Sequence, residues 1–222
     1  MLERLFRPRS AAIVGASTDP RKTGGMPVHY STLRGYAGQL YPVNPGATEV
    51  QGLRAWPSIS AIGKPVDCAV IAVPAAQTVA AMEDAVLARV PLAVVFSAGF
   101  AEVSEAGRIL QEQMLRVARE GGVRVLGPNS MGMINLGGRC PITVNAVLAM
   151  DVPPAGATSI VSQSGTMLGT VLSRGAARGL GFSKLVSVGN ESDIGVGELV
   201  QVLAADPESQ TILLFLETVR DA

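Results

Sequence analysis

Short apolar segments alternate with longer segments of helical periodicity along most of this sequence. The short segments are rich in valine and isoleucine, which is typical of buried strands. Because strands that alternate with helices form parallel sheets with right-handed crossovers, the pattern predicts an α/β protein. The predicted strands cover residues 10–16, 40–43, 68–73, 92–96, 123–126, 158–161, 183–188 and 211–216, and the predicted helices cover residues 26–35, 75–89, 104–120, 165–178 and 195–205.

The alternation is interrupted by a glycine- and proline-rich stretch over residues 127–157 that contains no convincing helix. A change of composition of this kind often marks a domain boundary. We therefore predict two α/β units with parallel sheets, over residues 1–145 and 150–222. The second unit has only three predicted strands and no helix after the third, so we expect it to be incomplete.

The charge balance and the apolar content exclude several classes of protein. Lys plus Arg and Asp plus Glu each number 18, so there is no basic surplus for nucleic-acid binding. Hydrophobic residues make up 48% of the chain and charged residues 16%, which indicates a well-packed globular protein. Neither a membrane span nor a signal peptide is recognisable, so we predict a cytoplasmic location. Cys68 in a strand and Cys140 in a loop match no disulfide or metal pattern, so no metal site is predicted.

The first predicted strand runs into a loop of small residues, Gly15, Ala16 and Ser17. A doubly wound sheet binds its ligand at this position, although an ordinary strand–helix turn is the alternative. An NAD site would need a second glycine here and an acid at the end of the second strand. That strand ends in Asn44 and Pro45 without a carboxylate, which favours a ligand phosphorylated on its ribose, such as coenzyme A.

Three further strand ends carry small or neutral residues, at Val73-Pro74, at Ser97 to Phe100 and at Gly127 to Ser130. In a parallel sheet all of them lie along one edge. We therefore predict a neutral cleft with many backbone donors at that edge.

The second unit offers polar loops whose roles the residues alone leave open. The turn Ser162 to Gly165 is either an anion cradle or a plain helix N-cap. Glu217 ends the last predicted strand and is either a site carboxylate or a solvated residue. The loop Gly189 to Asp193 is either functional or a polar turn. The only histidine, His29, lies in the first predicted helix, where a role on the helix surface or in helix packing is favoured.

An ordered set of motifs carries a family resemblance over nearly the whole chain. The motifs are IVGAS, YPVNP, VDCAVIAVPA, SAGFAE, GPNSMG, SIVSQSGT and VSVGNESDIG. In this order they resemble the NDP-forming acyl-CoA synthetases, which include ADP-forming acetyl-CoA synthetase and the α subunit of succinyl-CoA synthetase. The resemblance implies a Rossmann-like CoA-binding domain followed by a partial flavodoxin-like ligase domain.

The resemblance also implies site residues. Ser162, Ser164 and Gly165 would hold the phosphate of a phosphohistidine, and Glu217 would steady that histidine. The family converts acyl-CoA, phosphate and ADP into acid, CoA and ATP through an acyl phosphate and the phosphohistidine. The residues that would line the CoA site are Gly15, Ala16, Ser17, Asn44, Pro45, Val73, Pro74, Ser97, Gly99, Pro128 and Asn129.

The chain departs from the family pattern in several places. The family's histidine lies beyond the glutamate, so we expect the chain alone to be inactive. Gly46 and Ser130 stand where members often carry lysine and cysteine. ADP or ATP with Mg would bind only through a nucleotide-grasp domain or subunit, which we expect as a partner within an oligomer. The alternative function is a non-catalytic CoA-sensing module of a protein acetyltransferase fusion.

Overall fold

The computed structural model describes residues 2–149 and 154–219, which form an α/β protein with two five-stranded sheets and a short hairpin. The helices are α1 (Met26–Leu33), α2 (Thr78–Leu87), α3 (Glu105–Glu120), α4 (Gly165–Ala176) and α5 (Val196–Ala204). The strands are β1 (Ser10–Val14), β2 (Gln39–Val43), β3 (Glu49–Val50), β4 (Leu53–Arg54), β5 (Cys68–Ile71), β6 (Leu92–Val95), β7 (Arg124–Leu126), β8 (Gly132–Asn135), β9 (Cys140–Thr143), β10 (Ala155–Ser162), β11 (Phe182–Ser187) and β12 (Thr211–Phe215).

The first sheet is parallel throughout, with the strand order β2-β1-β5-β6-β7. Alternate residues of each strand face two different cores. Ala12 packs with Met82 of α2 and Met114 of α3, whereas Ile13 packs on the opposite face. Burial on both faces explains why these strands are continuous apolar runs and were recognisable in the sequence. The five predicted strands of this sheet are confirmed.

The second sheet is mixed, with the order β12-β10-β11-β8-β9. The three predicted strands β10, β11 and β12 are parallel to one another, but β8 runs antiparallel to β11, and β9 antiparallel to β8. The expectation of two wholly parallel sheets is therefore wrong for this sheet. Its two added strands come from the stretch 127–157, in which no strand was predicted, and they lie before the predicted division at residues 145–150.

Cys140 was predicted to lie in a loop. It is instead the first residue of β9 and is buried. Burial raises the pKa of its thiol to about 12. Cys68 lies in β5 with no exposed surface, which confirms it as a core residue. Burial raises the pKa of that thiol as well.

The two sheets share one apolar core. Ile13 and Val70 of the first sheet belong to the same buried cluster as Val161 and Val186 of the second, together with Leu199 of α5. The opposite face of the second sheet packs against α4 and Tyr30 of α1. Of the helices in the described residues, none is long and apolar enough to cross a membrane.

The loops at the carboxyl ends of the two sheets meet. Ser130, which follows β7, donates its hydroxyl to the Ser187 carbonyl at the end of β11, 2.6 Å away. The amide of Asn190 donates to the Pro128 carbonyl at 2.9 Å, and that of Ser192 to the Gly127 carbonyl at 3.3 Å. The edges that carry the predicted site residues are thus joined by hydrogen bonds.

Candidate functional site

A cleft of about 780 Å³ opens at the carboxyl ends of β1, β2 and β5. Five residues predicted for the CoA site line it: Gly15, Asn44, Pro45, Val73 and Pro74. The remaining wall comes from the ends of the three strands, from α2 and the turn before it, and from the loop after β4. These further lining residues are Val14, Val43, Pro57, Ser58, Ala72, Ala76, Gln77, Ala80, Ala81 and Asp84.

Gly15 occupies a position that only glycine fits. Its φ is +83°, and a Cβ atom there would lie 2.7 Å from the Ala72 carbonyl oxygen and 2.9 Å from Cγ1 of Val73. The backbone of β1 therefore passes close to that of β5 at the floor of the cleft.

The cleft was predicted to offer many backbone donors. The amides of the loop after β1, however, donate to acceptors within the protein. Gly15 and Ala16 both donate to the Val43 carbonyl, at 3.0 and 3.2 Å, and Ser17 donates to the Gly24 carbonyl at 3.3 Å. Ala16 is also buried. The Val43 carbonyl at the end of β2 continues the sheet ladder and accepts the amides of Gly15 and Ala16, so these two amides are not free to donate to a ligand.

Asn44 joins the ends of β1 and β2. Its Nδ2 donates to the Ala16 carbonyl at 2.8 Å, and its Oδ1 accepts from the Gly46 amide at 2.9 Å. Gln51 braces the same loop by donating to the Ser17 carbonyl at 2.9 Å and to the Gly25 carbonyl at 3.0 Å. The sequence analysis did not single out Gln51, because no spacing ties it to residues 34 and 26 positions away.

Six predicted CoA residues do not line the cleft: Ala16 and Ser17 in the loop after β1, and four residues at the ends of β6 and β7. Ser97 donates its hydroxyl to the Val73 carbonyl at 2.5 Å, and the Asn129 amide donates to the Ser97 carbonyl at 2.9 Å. Pro128 accepts from Asn190 through its carbonyl. Gly99 donates its amide to Oε1 of Glu102 at 2.7 Å. These bonds link the loops after β5, β6 and β7.

The Glu102 carboxylate holds the loop after β6. Oε1 accepts the amides of Gly99 and Phe100, and Oε2 accepts Nδ2 of Asn190 at 2.5 Å. Partial burial raises the pKa of this carboxyl, but the hydrogen bonds from Asn190, Gly99 and Phe100 outweigh burial and leave the pKa lowered. The group is therefore ionised at neutral pH, which suits an acceptor of three donors.

The turn after β10 begins α4 as a capped helix. The Ser162 hydroxyl is fully buried and donates to the Ser164 carbonyl at 2.6 Å. Oγ of Ser164 accepts the Met167 amide at 3.4 Å, so the N-cap interpretation is confirmed for Ser164. Gly165 allows close packing, since a Cβ there would lie 2.2 Å from Cγ of Met131. A phosphate role for these three residues stays a prediction.

Glu217 lies on the same sheet edge as this turn. Strands β10 and β12 are parallel, with Ser162 opposite Phe215, which confirms the predicted pairing. Oε1 of Gln163 accepts the amides of Glu217 and Thr218, at 2.7 and 2.9 Å. The Glu217 side chain is exposed beside the turn. Gln163 thus fixes the relation between the turn and Glu217, a role that the sequence analysis missed.

His29 lies in α1 with its ring 5.6 Å from that of Tyr30, centroid to centroid, and Tyr30 packs into the core of the second unit. This placement agrees with a packing role. Across residues 2–149 and 154–219, no group of three or more His, Cys, Asp or Glu side chains could hold a metal ion.

Two family models match the chain. Residues 9–135 match the model of the CoA binding domain, and residues 155–222 match that of the succinyl-CoA ligase like flavodoxin domain. The first match covers all five strands of the first sheet together with β8, and the second covers β10, β11 and β12.

Curated and solved relatives resemble nearly the whole chain. The acetate–CoA ligase (ADP-forming) I of Archaeoglobus fulgidus is 37% identical over 99% of this chain and 31% of that protein. Subunit alpha of the acetate–CoA ligase (ADP-forming) II of Pyrococcus furiosus is 33% identical over 100% of this chain and 47% of that protein. A solved structure, the dinucleotide forming acetyl-coenzyme A synthetase 1 of Ca. Korarchaeum cryptofilum in complex with phosphate and ADP, is 36% identical with a TM-score of 0.93, over 99% of this chain and 46% of that one.

The chain thus spans less than half the length of these relatives. Within that span the chain has the fold of the solved Korarchaeum structure. The chain therefore belongs to the CoA binding domain family and continues into a succinyl-CoA ligase like flavodoxin domain, the order of domains that its resemblance to the NDP-forming acyl-CoA synthetases implies.

Proposed function

We propose that this chain binds coenzyme A and works within an NDP-forming acyl-CoA synthetase. The reaction would convert acyl-CoA, phosphate and ADP reversibly into acid, CoA and ATP. The names of the relatives as ADP-forming acetate–CoA ligases support this reaction class. Nothing in the comparisons supports the alternative of a CoA-sensing module in an acetyltransferase fusion.

The cleft at the ends of β1, β2 and β5 is the observation that carries the proposal. No carboxylate follows β2, where an NAD site would hold the ribose hydroxyls. The one acid in its wall, Asp84, is engaged with the amides of Ile59 and Ser60, at 2.6 and 3.2 Å. A phosphorylated ribose therefore meets no free carboxylate at the end of β2.

The second unit would supply the phosphoryl-transfer part of the site. Ser164 and Gly165 at the N-terminus of α4 would face the phosphate, because helix N-termini favour anions. Ser162 would support them through its buried hydroxyl. The Glu217 carboxylate would accept a hydrogen bond from the ring N–H of the imidazole whose other nitrogen carries the phosphoryl group. ADP or ATP and Mg would bind through a nucleotide-grasp domain or subunit, in a cytoplasmic oligomer.

Calorimetric titration of the chain with CoA, with CoA lacking the ribose phosphate and with NAD tests the proposal. We expect CoA to bind best and NAD much more weakly. Gly15→Asp, which places bulk and negative charge at the floor of the cleft, is expected to abolish CoA binding. Thermal unfolding of the variant separates loss of the site from loss of the fold. Clear NAD binding without CoA binding would overturn the proposal.

A further inference from the structure

A hydrogen-bonded path connects the loop after β6 with the turn after β10. It passes through residues 189–191, which follow β11 and are called the bridging loop below. The path involves side chains that neither the motifs nor the proposed reaction assigns to a role. It runs between the two places where the CoA and phosphate sites are proposed.

The first half of the path joins the first sheet to the bridging loop. Glu102 accepts the amides of Gly99 and Phe100 on one carboxylate oxygen and Nδ2 of Asn190 on the other. The second hydrogen of Asn190 Nδ2 goes to Oε1 of Gln111 in α3, at 2.9 Å. Asn190 and Gln111 are only 8% and 9% exposed. The exposed Glu102 and the buried Gln111 thus together fix the orientation of the Asn190 amide.

The second half joins the bridging loop to the second site. One carboxylate oxygen of Glu191 accepts the Val196 amide at the start of α5, at 2.6 Å. The other accepts Nε2 of Gln163 at 2.7 Å. Oε1 of Gln163 in turn accepts the amides of Glu217 and Thr218. Because both ends of the Gln163 amide are engaged, a shift of Glu191 would move the backbone of Glu217.

The bridging loop has little freedom to move independently. Gly189 has φ +57°, and a Cβ there would lie 2.2 Å from the Pro128 carbonyl oxygen. Two residues other than glycine also have a positive φ here: Glu191 with φ +50° and Asn129, in the loop after β7, with φ +57°. Such a backbone is strained for glutamate and persists only where its surroundings hold it, whereas asparagine adopts it more readily. Both residues lie where the two sheet edges meet.

From this path we propose that Asn190 and Glu191 are positioning residues that couple the loop beside the CoA cleft to the placement of Glu217. The inference rests on the proposed function, since it takes CoA as the ligand that orders the loop after β6. Ordering of Gly99 and Phe100 would be transmitted by Glu102 to Asn190, and by Glu191 and Gln163 to Glu217. Such coupling is reciprocal, so a ligand beside Glu217 would strengthen CoA binding by the same factor.

A reciprocal exchange of side chains tests the first half of the path. Glu102→Gln places an amide NH₂ against Asn190 Nδ2, and Asn190→Asp places a carboxylate against Glu102. Each single variant breaks the bond with little change of volume. The double variant restores the hydrogen bond with donor and acceptor exchanged, because Gln at position 102 donates to Asp at position 190, and the Gln111 amide can turn to donate as well.

We expect each single variant to lose about fivefold or more in CoA affinity, and the double variant to lie within about twofold of the wild type.

The measurement is the change in chemical shift of the backbone amides of Gly99, Glu217 and Thr218 during a CoA titration. If Asn190 and Glu191 only stabilised the fold, substituting them would not selectively remove the shifts of Glu217 and Thr218. In the wild type we expect all three to shift with one apparent Kd. In either single variant the Gly99 shift persists, whereas the shifts of Glu217 and Thr218 are lost, and the double variant regains them. Glu191→Gln, which breaks the second half, is expected to lose the distal shifts while Gly99 still responds.

The outcomes separate this inference from the proposed function. If CoA shifts no resonance in the wild type, the proposed function fails. If Gly99 shifts but Glu217 and Thr218 do not, or if they shift equally in the single variants, CoA binding stands and the coupling is refuted. A double variant no better than its parents also refutes it.

Discussion

Among the residues that line the cleft, Gly15 has surroundings that leave no room for a side chain. The atoms that a Cβ would meet include a backbone carbonyl of β5, which no rotamer change can move aside. Asn44 then ties the same loop to β2. The shape of the cleft therefore depends on two residues that the sequence motifs already indicated.

We predict that Gly15→Ala destabilises the protein by more than about 1 kcal/mol and abolishes CoA binding, because it adds a steric clash to an unfavourable φ. Gly122→Ala is the matched control. Gly122 has φ +71°, nothing within 4 Å of a Cβ, and a place before β7, at the far edge of the sheet. Denaturant titration and calorimetry on both variants check the prediction. Equal effects of the two substitutions on CoA affinity would contradict it.

Gln163, Glu102 and Asn190 lie within the recognised motifs, but their hydrogen-bond partners could not be predicted from the sequence. Gln163 holds amides 54 and 55 positions away, and Glu102 reaches Asn190 over 88 positions. Such polar residues in loops show no periodicity, and their partners become neighbours only once two sheets are assembled. The motif residues were recognisable because strand ends recur at a fixed place in the α/β pattern.

At the scale of elements, Lys184 connects β11 to the segment between α5 and β12. Its side chain is only 5% exposed and its ammonium contacts the carboxylates of Asp206 and Glu208. Glu208 also pairs with Arg7 near the N-terminus. Burial raises the pKa of Asp206, but hydrogen bonds from Lys184 and Ser209 leave it lowered, and bonds from Arg7 and Lys184 lower the pKa of Glu208.

We predict that Lys184→Met lowers the free energy of unfolding at pH 7 by about 2 kcal/mol, and that the difference from the wild type shrinks as the pH falls. Carboxyls whose pKa is lowered in the folded state contribute stability above their unfolded pKa and lose it as the pH falls through the folded pKa. Denaturant titrations between pH 7 and pH 3 measure this. Lys64→Met, at an exposed position, is the control. A pH-independent difference would count against the ion-pair explanation.

The edge strand β12 exposes apolar side chains. Leu213, Leu214 and Leu216 are 40%, 48% and 42% exposed, and in the described residues β12 pairs only with β10. An apolar edge with unpaired backbone groups invites pairing with another chain.

We therefore expect the chain to self-associate at high concentration, and Leu214→Lys to reduce this by placing a charge on the edge. Leu87→Lys is the matched control, since Leu87 is 73% exposed on α2. Sedimentation velocity over a concentration series provides the measurement. Association that both variants reduce equally would show that β12 is not the contact.

Strands β8 and β9 were missed for reasons that lie in their sequences. Gly132 begins the first, and Pro141 lies within the second. Glycine and proline are both depleted in strands, so their presence counts against predicting one. Pro141 is tolerated because β9 is at the edge of the sheet. The antiparallel direction follows from the short turn between the two strands, which a rule based on strand–helix alternation does not cover.

In the molecule as a whole, the two sheets are not independent bodies. One buried cluster contains residues of both, and hydrogen bonds join the loops after β7 and β11. Separation of the sheets would expose this apolar surface to water and is therefore costly.

We predict that both units unfold in one transition. Trp56, the only tryptophan, is next to β2 in the first unit, so its fluorescence reports on that unit alone. Far-UV circular dichroism reports on both. The two denaturation curves are expected to coincide, and Ser130→Ala, which removes the bond to Ser187, is expected to shift both to lower denaturant together. Separate midpoints in the wild type would show that the units unfold independently.

The membership of β8 and β9 in the second sheet has a consequence for engineering by recombination. A chimaera that exchanges residues 1–145 between relatives would import two strands into a foreign sheet, with Met133 and Ile134 meeting Val186 and Leu185 of another lineage. A crossover placed between the end of β7 and the start of β8 would keep each sheet within one parent. Hybrids built in this way would still join the two parents across the apolar core that the sheets share, but the pairing of β8 with β11 would stay within one parent.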